Sequence, residues 1–218
     1  SNWYKRQMLR GVAKAYAGPT YFVTLPGNKI KKISDLSGKK VAMGPPGSGT
    51  VFNCTNMLKA AGNLNKIKAS YLTFADAGRA LANGQVDAIC QSSAPAAAVK
   101  ELAETKGAVV IPFTDAQLDK ISKSGYSTGT MPAGTYKGVP AVKLPYLTVY
   151  WVAHERVSAK AVEDILNLVY QPDIRAKLAA GHKAWKQMAP ETKNFEALGV
   201  PMHPGAVAYY KSKGLYHK

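Results

Sequence analysis

Acidic side chains are scarce in this chain: 13 Asp and Glu stand against 29 Lys and Arg over 218 residues, for a formal charge of +16. Such an excess suggests a nucleic acid, an anionic membrane surface or a small anionic ligand as partner. The first of these is disfavoured. The lysines are scattered, the densest group, Lys29-Ile30-Lys31-Lys32, is short, and no aromatic-rich RNA-binding signature accompanies it. Most lysines read as solvated surface. Histidine is equally sparse, with His154, His182, His203 and His217 far apart and none spaced with Cys, Asp or Glu for a metal or a nucleophile. There is no Gly-x-Ser-x-Gly elbow and no His-Glu-x-x-His, and Asp35, Asp76 and Asp87 read as turn, cap and sheet-end residues. The expectation is no catalytic set, no metal and no cofactor. Cysteine is limited to Cys54 and Cys90, with no Cys-x-x-Cys spacing. Two buried free thiols are expected, the alternative being a disulfide in an oxidising compartment. No apolar run reaches the about 18 residues of a membrane span. The opening Ser1-Asn2-Trp3-Tyr4-Lys5-Arg6 lacks the apolar core of a signal peptide, as a mature, trimmed or cytosolic chain would.

What the chain does have is a strand, a Gly/Pro turn and a helix in Val41-Ala42-Met43-Gly44-Pro45-Pro46-Gly47-Ser48-Gly49-Thr50 and the residues after it. Apolar positions 51, 54, 57, 58 and 61 fall on one helical face, and Gly62 is a stop signal. Glycines allow close approach of a ligand, and free N–H groups at a helix start carry partial positive charge. The combination suits a carboxylate or phosphate. Gly44 and Gly49 have the separation of a nucleotide-binding P-loop, but Thr50 follows where that loop needs lysine. A small-anion seat remains, with the Ser48 and Thr50 hydroxyls assisting the backbone, against the plain alternative of a structural turn.

Strands are predicted at 21–25, 69–72, 86–90, 109–113 and 147–153, and helices at 74–82, 96–102, 115–121, 159–170, 173–181 and 206–210. Residues 7–17 show no clear pattern. Ser92-Ser93-Ala94-Pro95 repeats the strand–small loop–helix junction. Ser92 or Ser93 is expected to cap the helix, with Pro95 in its first turn, or to form a second wall of the ligand site. Residues 122–138 are expected to be a long polar loop in which Tyr126 and Tyr136 are candidate ligand contacts. Alternating strands and helices indicate an α/β fold with a mainly parallel sheet, whose ligands sit beyond the carboxyl ends of the strands.

Several stretches together resemble the TAXI family of TRAP-transporter solute-binding proteins. They are the run from Ile33 to Thr50, Phe74-Ala75-Asp76-Ala77, Leu81-Ala82-Asn83-Gly84-Gln85-Val86-Asp87-Ala88, Pro132-Ala133-Gly134-Thr135-Tyr136, and Met202-His203-Pro204-Gly205-Ala206-Val207-Ala208-Tyr209-Tyr210-Lys211. The opening of the first is shared with many type II periplasmic binding proteins, whereas its Gly-Pro-Pro-Gly-Ser-Gly-Thr loop is more specific. The resemblance implies a type II (Venus-flytrap) architecture of two α/β lobes joined by crossing strands, with hinge closure over the solute. Residues 27–145 would form the second lobe, and 1–26 with 146–218 the first. Family members carry an earlier Gly-rich segment that this chain lacks, so the first lobe is expected to be incomplete, through truncation or loss. The function implied is periplasmic capture of a small carboxylate or amino acid, such as glutamate or 2-oxoglutarate, for membrane TRAP-transporter subunits. Gly47, Ser48, Gly49 and Thr50 would hold the carboxylate, Ser92 and Ser93 would line the second loop, and Tyr126 or Tyr136 would close over the ligand. An enzyme on the same fold, acting on a small anionic substrate, is the alternative.

Overall fold

The computed structural model describes residues 8–192, 195 and 198–216. His217 and the opening residues 1–6 fall outside them. The chain divides into two compact units, Gly18–Leu147 and Ser1–Ala17 with Thr148–Lys218. It passes from one to the other within the strands Leu9–Thr24 (β1) and Val142–His154 (β7).

In the 18–147 unit, β2 (Lys40–Ala42) runs parallel to both β3 (Lys68–Ser70) and β4 (Ala88–Ser92), with Ala42 opposite Ser70 on one side and Ile89 on the other. The second half of β1 is antiparallel to β4, pairing Thr20 with Ser92, and on its other edge to β5 (Val109–Ile111). One antiparallel strand therefore sits inside an otherwise parallel order, β3-β2-β4-β1-β5. A hairpin of β6 (Ser127–Met131) and β7 completes the unit.

Four helices cover this sheet: α1 (Gly49–Ala60), α2 (Phe74–Ala82), α3 (Ala97–Thr105) and α4 (Asp115–Ser122). Local chemistry sets their starts. Ser48 caps α1, Thr73 caps α2, and Thr114 with Gln117 forms a reciprocal capping box on α4. The core centres on Tyr21, Phe22, Val41, Met57, Leu81 and Ile89, all fully buried.

The other unit packs α5 (Ala159–Val169), α6 (Pro172–Gly181) and α7 (Pro204–Ser212) around Val12, Leu166, Ala206 and Tyr210. Helices α5 and α7 are in close contact, and Gly205 permits it, since a Cβ there would collide with the Ala159 carbonyl. His203 caps α7 by accepting from the Gly205 N–H at 3.2 Å, and it is buried.

Three features differ from the sequence expectation. Residues 9–17 form strand although their mixed, weakly patterned side chains gave no signal. Gly11 donates to the Pro201 carbonyl, Lys14 and Ala189 exchange two backbone bonds, and the Phe195 ring leaves no room for a side chain at Gly11. Tertiary partners make this strand. The expected loop at 122–138 contains β6, a run of Ser, Thr and Gly made extended by pairing with β7, with Gly129 beneath the Tyr146 ring. Lastly, Cys54 and Cys90 are bonded to each other rather than free, joining α1 to β4 with Cα atoms 6.3 Å apart. The bridge closes a loop of sequence separation 36, for which chain entropy gives a stabilisation of about 4 kcal/mol. A Cys54→Ala/Cys90→Ala variant is expected to lose stability of that order in urea unfolding; an unchanged midpoint would mean that the bond does not constrain this unit.

Candidate functional site

The carboxyl ends of β2, β3 and β4 gather at one edge of the 18–147 unit, and the sequence-predicted residues lie there. Beyond β2 the chain turns through Gly44 and Gly47, at φ of 105° and 72°, angles that glycine adopts without a Cβ penalty. At Gly44 a Cβ would also lie 3.1 Å from Thr50 Cγ2. Ser48 then enters α1 with extended backbone, its N–H bonded to Pro45 and its hydroxyl accepting from the Val51 N–H at 3.3 Å. The cap satisfies one donor of the first turn. The N–H groups of Gly49 and Thr50 make no backbone hydrogen bond among the described residues. Gly49 has open space above it, while the Thr50 side chain is buried.

The second junction is built differently from the expectation. Neither Ser92 nor Ser93 caps α3, and Pro95 does not lie in its first turn. The N-cap is Ala96, without a side-chain bond, and Pro95 precedes it behind a cis Ala94–Pro95 peptide. The serines are engaged elsewhere. Ser92 ends β4 with its hydroxyl 3.3 Å from that of Thr20 and 3.5 Å from Asn53 Nδ2. Ser93 adopts a left-handed conformation, φ 78°, its N–H donating to the Pro19 carbonyl at 2.8 Å. The first N–H groups of α3 are thereby left without a cap.

Two tyrosines buttress these walls. The Tyr126 hydroxyl donates to Asn53 Oδ1 at 3.1 Å and accepts from Asn56 Nδ2 at 3.0 Å. A continuous polar chain thus runs from α1 through Asn53 and Ser92 to Thr20 on β1. The Tyr136 hydroxyl accepts from the Ala96 N–H at 2.7 Å and bonds the Tyr21 hydroxyl, which donates to the Ser93 carbonyl at 3.2 Å. Both rings are buried. Tyr21 was not singled out from sequence, where it read as one more apolar strand residue. Its polar tip becomes visible only once Tyr136 and residue 93 are brought to it.

Two further groups at this edge were also missed. Gln91 Nε2 and Ser70 Oγ are buried without a partner among the described residues. Side chains alternate along a strand, so Gln91 faces away from Ser92 and α1. An unpaired buried amide costs about 1–3 kcal/mol unless water or a ligand meets it.

The groups at this edge are donors and hydroxyls. The 18–147 unit holds no histidine, Asp87 lies at the other end of β4, where it accepts from the Lys40 N–H, and no cluster able to hold a metal occurs among the described residues. Burial, followed by the charge and hydrogen bond of Tyr136, pushes the Tyr21 phenol far above its ordinary value, and burial raises Tyr136. Both stay protonated in the folded unit when the unfolded chain begins to ionise near pH 10. The folded state then binds more protons, so the stability they confer is complete below about pH 10 and falls as pH rises beyond it. Base titration of Tyr136→Phe is expected to show a shallower loss above about pH 10 than the parent, with lower stability at neutral pH because the Ala96 N–H loses its acceptor. An identical alkaline limb would separate these phenols from the fold's stability.

Comparison with known proteins adds three findings. A profile described as the NMT1-like family matches residues 2–214. The periplasmic aliphatic sulphonate binding protein SsuA from Escherichia coli superposes with a TM-score of 0.51 at 19% identity, over 97% of this chain and 61% of that one. A putative L-cystine ABC transporter protein from Listeria monocytogenes gives 0.50 at 14% identity, over 88% and 70%. At such identities the likeness shows the fold, the mixed α/β fold of type II periplasmic binding proteins. The chain spans less than two thirds of the length of several of these relatives, 61% of the E. coli protein and 60% of an arginine-binding protein from T. maritima.

Proposed function

The chain belongs to the NMT1-like family, and from that premise we propose that it is an extracytoplasmic solute-binding protein that captures a small organic anion. The observation that carries this reading is the start of α1, where a glycine turn presents the unbonded N–H groups of Gly49 and Thr50 at the carboxyl edge of the sheet. Unpaired amide donors at a helix start hold an oxyanion through hydrogen bonds and the helix dipole. Gly47, Ser48, Gly49 and Thr50 form the seat. Ser92 and Ser93, with the uncapped start of α3, form its second wall, and Tyr126 and Tyr136 fix both through their hydroxyls.

The ligand class is a small carboxylate, with glutamate and 2-oxoglutarate as first candidates. The E. coli neighbour's name, an aliphatic sulphonate binding protein, adds sulfonates as a second oxyanion to test. The resemblance of the Gly-Pro-Pro-Gly-Ser-Gly-Thr and Pro-Ala-Gly-Thr-Tyr runs to the TAXI family supports TRAP-type membrane subunits as partner, residues 27–145 as second lobe, and 1–26 with 146–218 as first. A periplasmic location agrees with the Cys54–Cys90 bond, since disulfides persist in oxidising compartments.

A proline at position 49 tests the seat. Position 49 is the first helical residue, Ser48 before it is already extended at ψ 153°, and a Cβ would meet nothing within 4 Å, so proline is tolerated there. It removes one N–H and no existing bond. Gly49→Pro is expected to keep or slightly raise the melting temperature while weakening carboxylate binding about ten-fold or more, as the loss of a hydrogen bond to a charged group implies. Isothermal titration with glutamate, 2-oxoglutarate and an alkanesulfonate reads the affinity. Unaltered affinity for whichever of these the parent binds would remove the α1 start from the site.

A further inference from the structure

The proposed seat is built from neutral donors, which leaves the charge of +16 without a part in it. In the 18–147 unit much of it collects at the amino ends of the parallel strands, the edge remote from the seat. Lys39 and Lys40 lead into β2, Lys66 and Lys68 into β3, and Lys29, Lys31 and Lys32 precede the short 3-10 turn before β2. Backbone bonds fuse these stretches into one face. The Gly38 N–H donates to the Lys66 carbonyl at 2.6 Å and the Lys68 N–H to the Lys39 carbonyl at 2.7 Å. Lys40 and Lys68 are register partners, and Asn63 Nδ2 donates to the Ile33 carbonyl at 2.8 Å.

Six of these seven lysines are exposed and Lys39 is half-buried. None of the seven joins an ion pair among the described residues. The face holds two carboxylates, and both are occupied by main-chain donors: Asp35 accepts from the Lys31 and Lys32 N–H groups, Asp87 from that of Lys40. Seven cations against two anions leave a local charge of +5.

We propose that this lysine face is a docking surface for anionic lipid headgroups. Its composition selects that partner. No arginine and no aromatic residue occurs in 26–40 or 62–70, so the face offers neither the bidentate forks that read fixed carboxylates or bases nor the rings on which bases stack. It offers strongly hydrated point charges on flexible stems. A fluid layer of phosphates rearranges to meet such charges, and each lysine near an anionic bilayer contributes additively. The face lies at the strand end away from the seat, so adhesion through it leaves the α1 start uncovered.

The test is sedimentation with vesicles of phosphatidylglycerol in phosphatidylcholine, at low ionic strength and at about 0.15 M salt, where charges are screened over about 8 Å. Two variants carry the same change in net charge: Lys31→Glu/Lys32→Glu/Lys40→Glu/Lys68→Glu on the face, and Lys160→Glu/Lys186→Glu/Lys211→Glu/Lys213→Glu in the other unit, both checked by thermal melting. The expected result is binding of the parent to anionic but not pure phosphatidylcholine vesicles, weakened by salt. The face variant should lose more than about a hundred-fold in affinity, at roughly five-fold per lysine, while the control keeps most of it. Equal loss in both variants would mean that net charge alone acts. Failure of the parent to bind anionic vesicles would leave the face to an acidic protein. Either result overturns the proposal.

Discussion

Helix α1 is held to β4 by the Cys54–Cys90 bond and, close beside it, by the contact of Asn53 with Ser92. These tethers fix both the height and the rotation of the helix over the sheet. Height sets the start of α1 just beyond the end of β2. Rotation turns Cys54, Met57 and Leu58 into the core, leaves Asn53 to meet Tyr126 and Ser92, and leaves Phe52 on the surface. The glycine turn between β2 and α1 is then left to deliver the chain to Ser48, and the first two N–H groups of the helix find no hydrogen-bond partner in the unit. A helix free to slide or roll would present those donors at no defined place.

The two ends of the same sheet divide the electrostatic work. At the carboxyl edge the groups are amides and hydroxyls, and the helix dipole supplies the positive potential. In the proposed function such donors would hold an anion by geometry and release it without having to break a buried ion pair, which suits reversible capture. At the amino edge the charge is carried by mostly exposed lysines with no anionic side-chain partner among the described residues. A long-range field there, screened beyond about 8 Å in physiological salt, adds little at the seat but much at a surface in contact with the face.

Much of this was legible in the residues. Where the side-chain pattern is strong, as over Phe74–Ala82 or Ala159–Val169, the elements stand where the pattern placed them, and Thr73 and Ser158 cap them. The Gly44–Thr50 turn was readable because glycine spacing and the onset of a 3.6-residue period coincide. What escaped depended on distant partners. The first half of β1 is strand because Pro201, Ala189 and Phe195 make it one, and β6 because β7 lies beside it. The cysteines gave no pairing signal, since closure depends on how α1 lies on β4. At the second junction the serines looked like caps by residue type, but Thr20, Asn53 and Pro19 claim them first. Tyr21 was missed for the related reason that an apolar strand context hides a hydroxyl.

Amide chemical shifts on titration address the central claim most directly. In two-dimensional 15N spectra of the whole chain, addition of glutamate, 2-oxoglutarate or another small carboxylate should move the Gly49 and Thr50 amide protons downfield, saturably and together, with smaller changes at Ala97 and Ala98. The amides of the lysine face should stay in place. Saturable binding that leaves Gly49 and Thr50 unmoved would show that the ligand sits elsewhere, and that the open donors at the start of α1 serve only the turn.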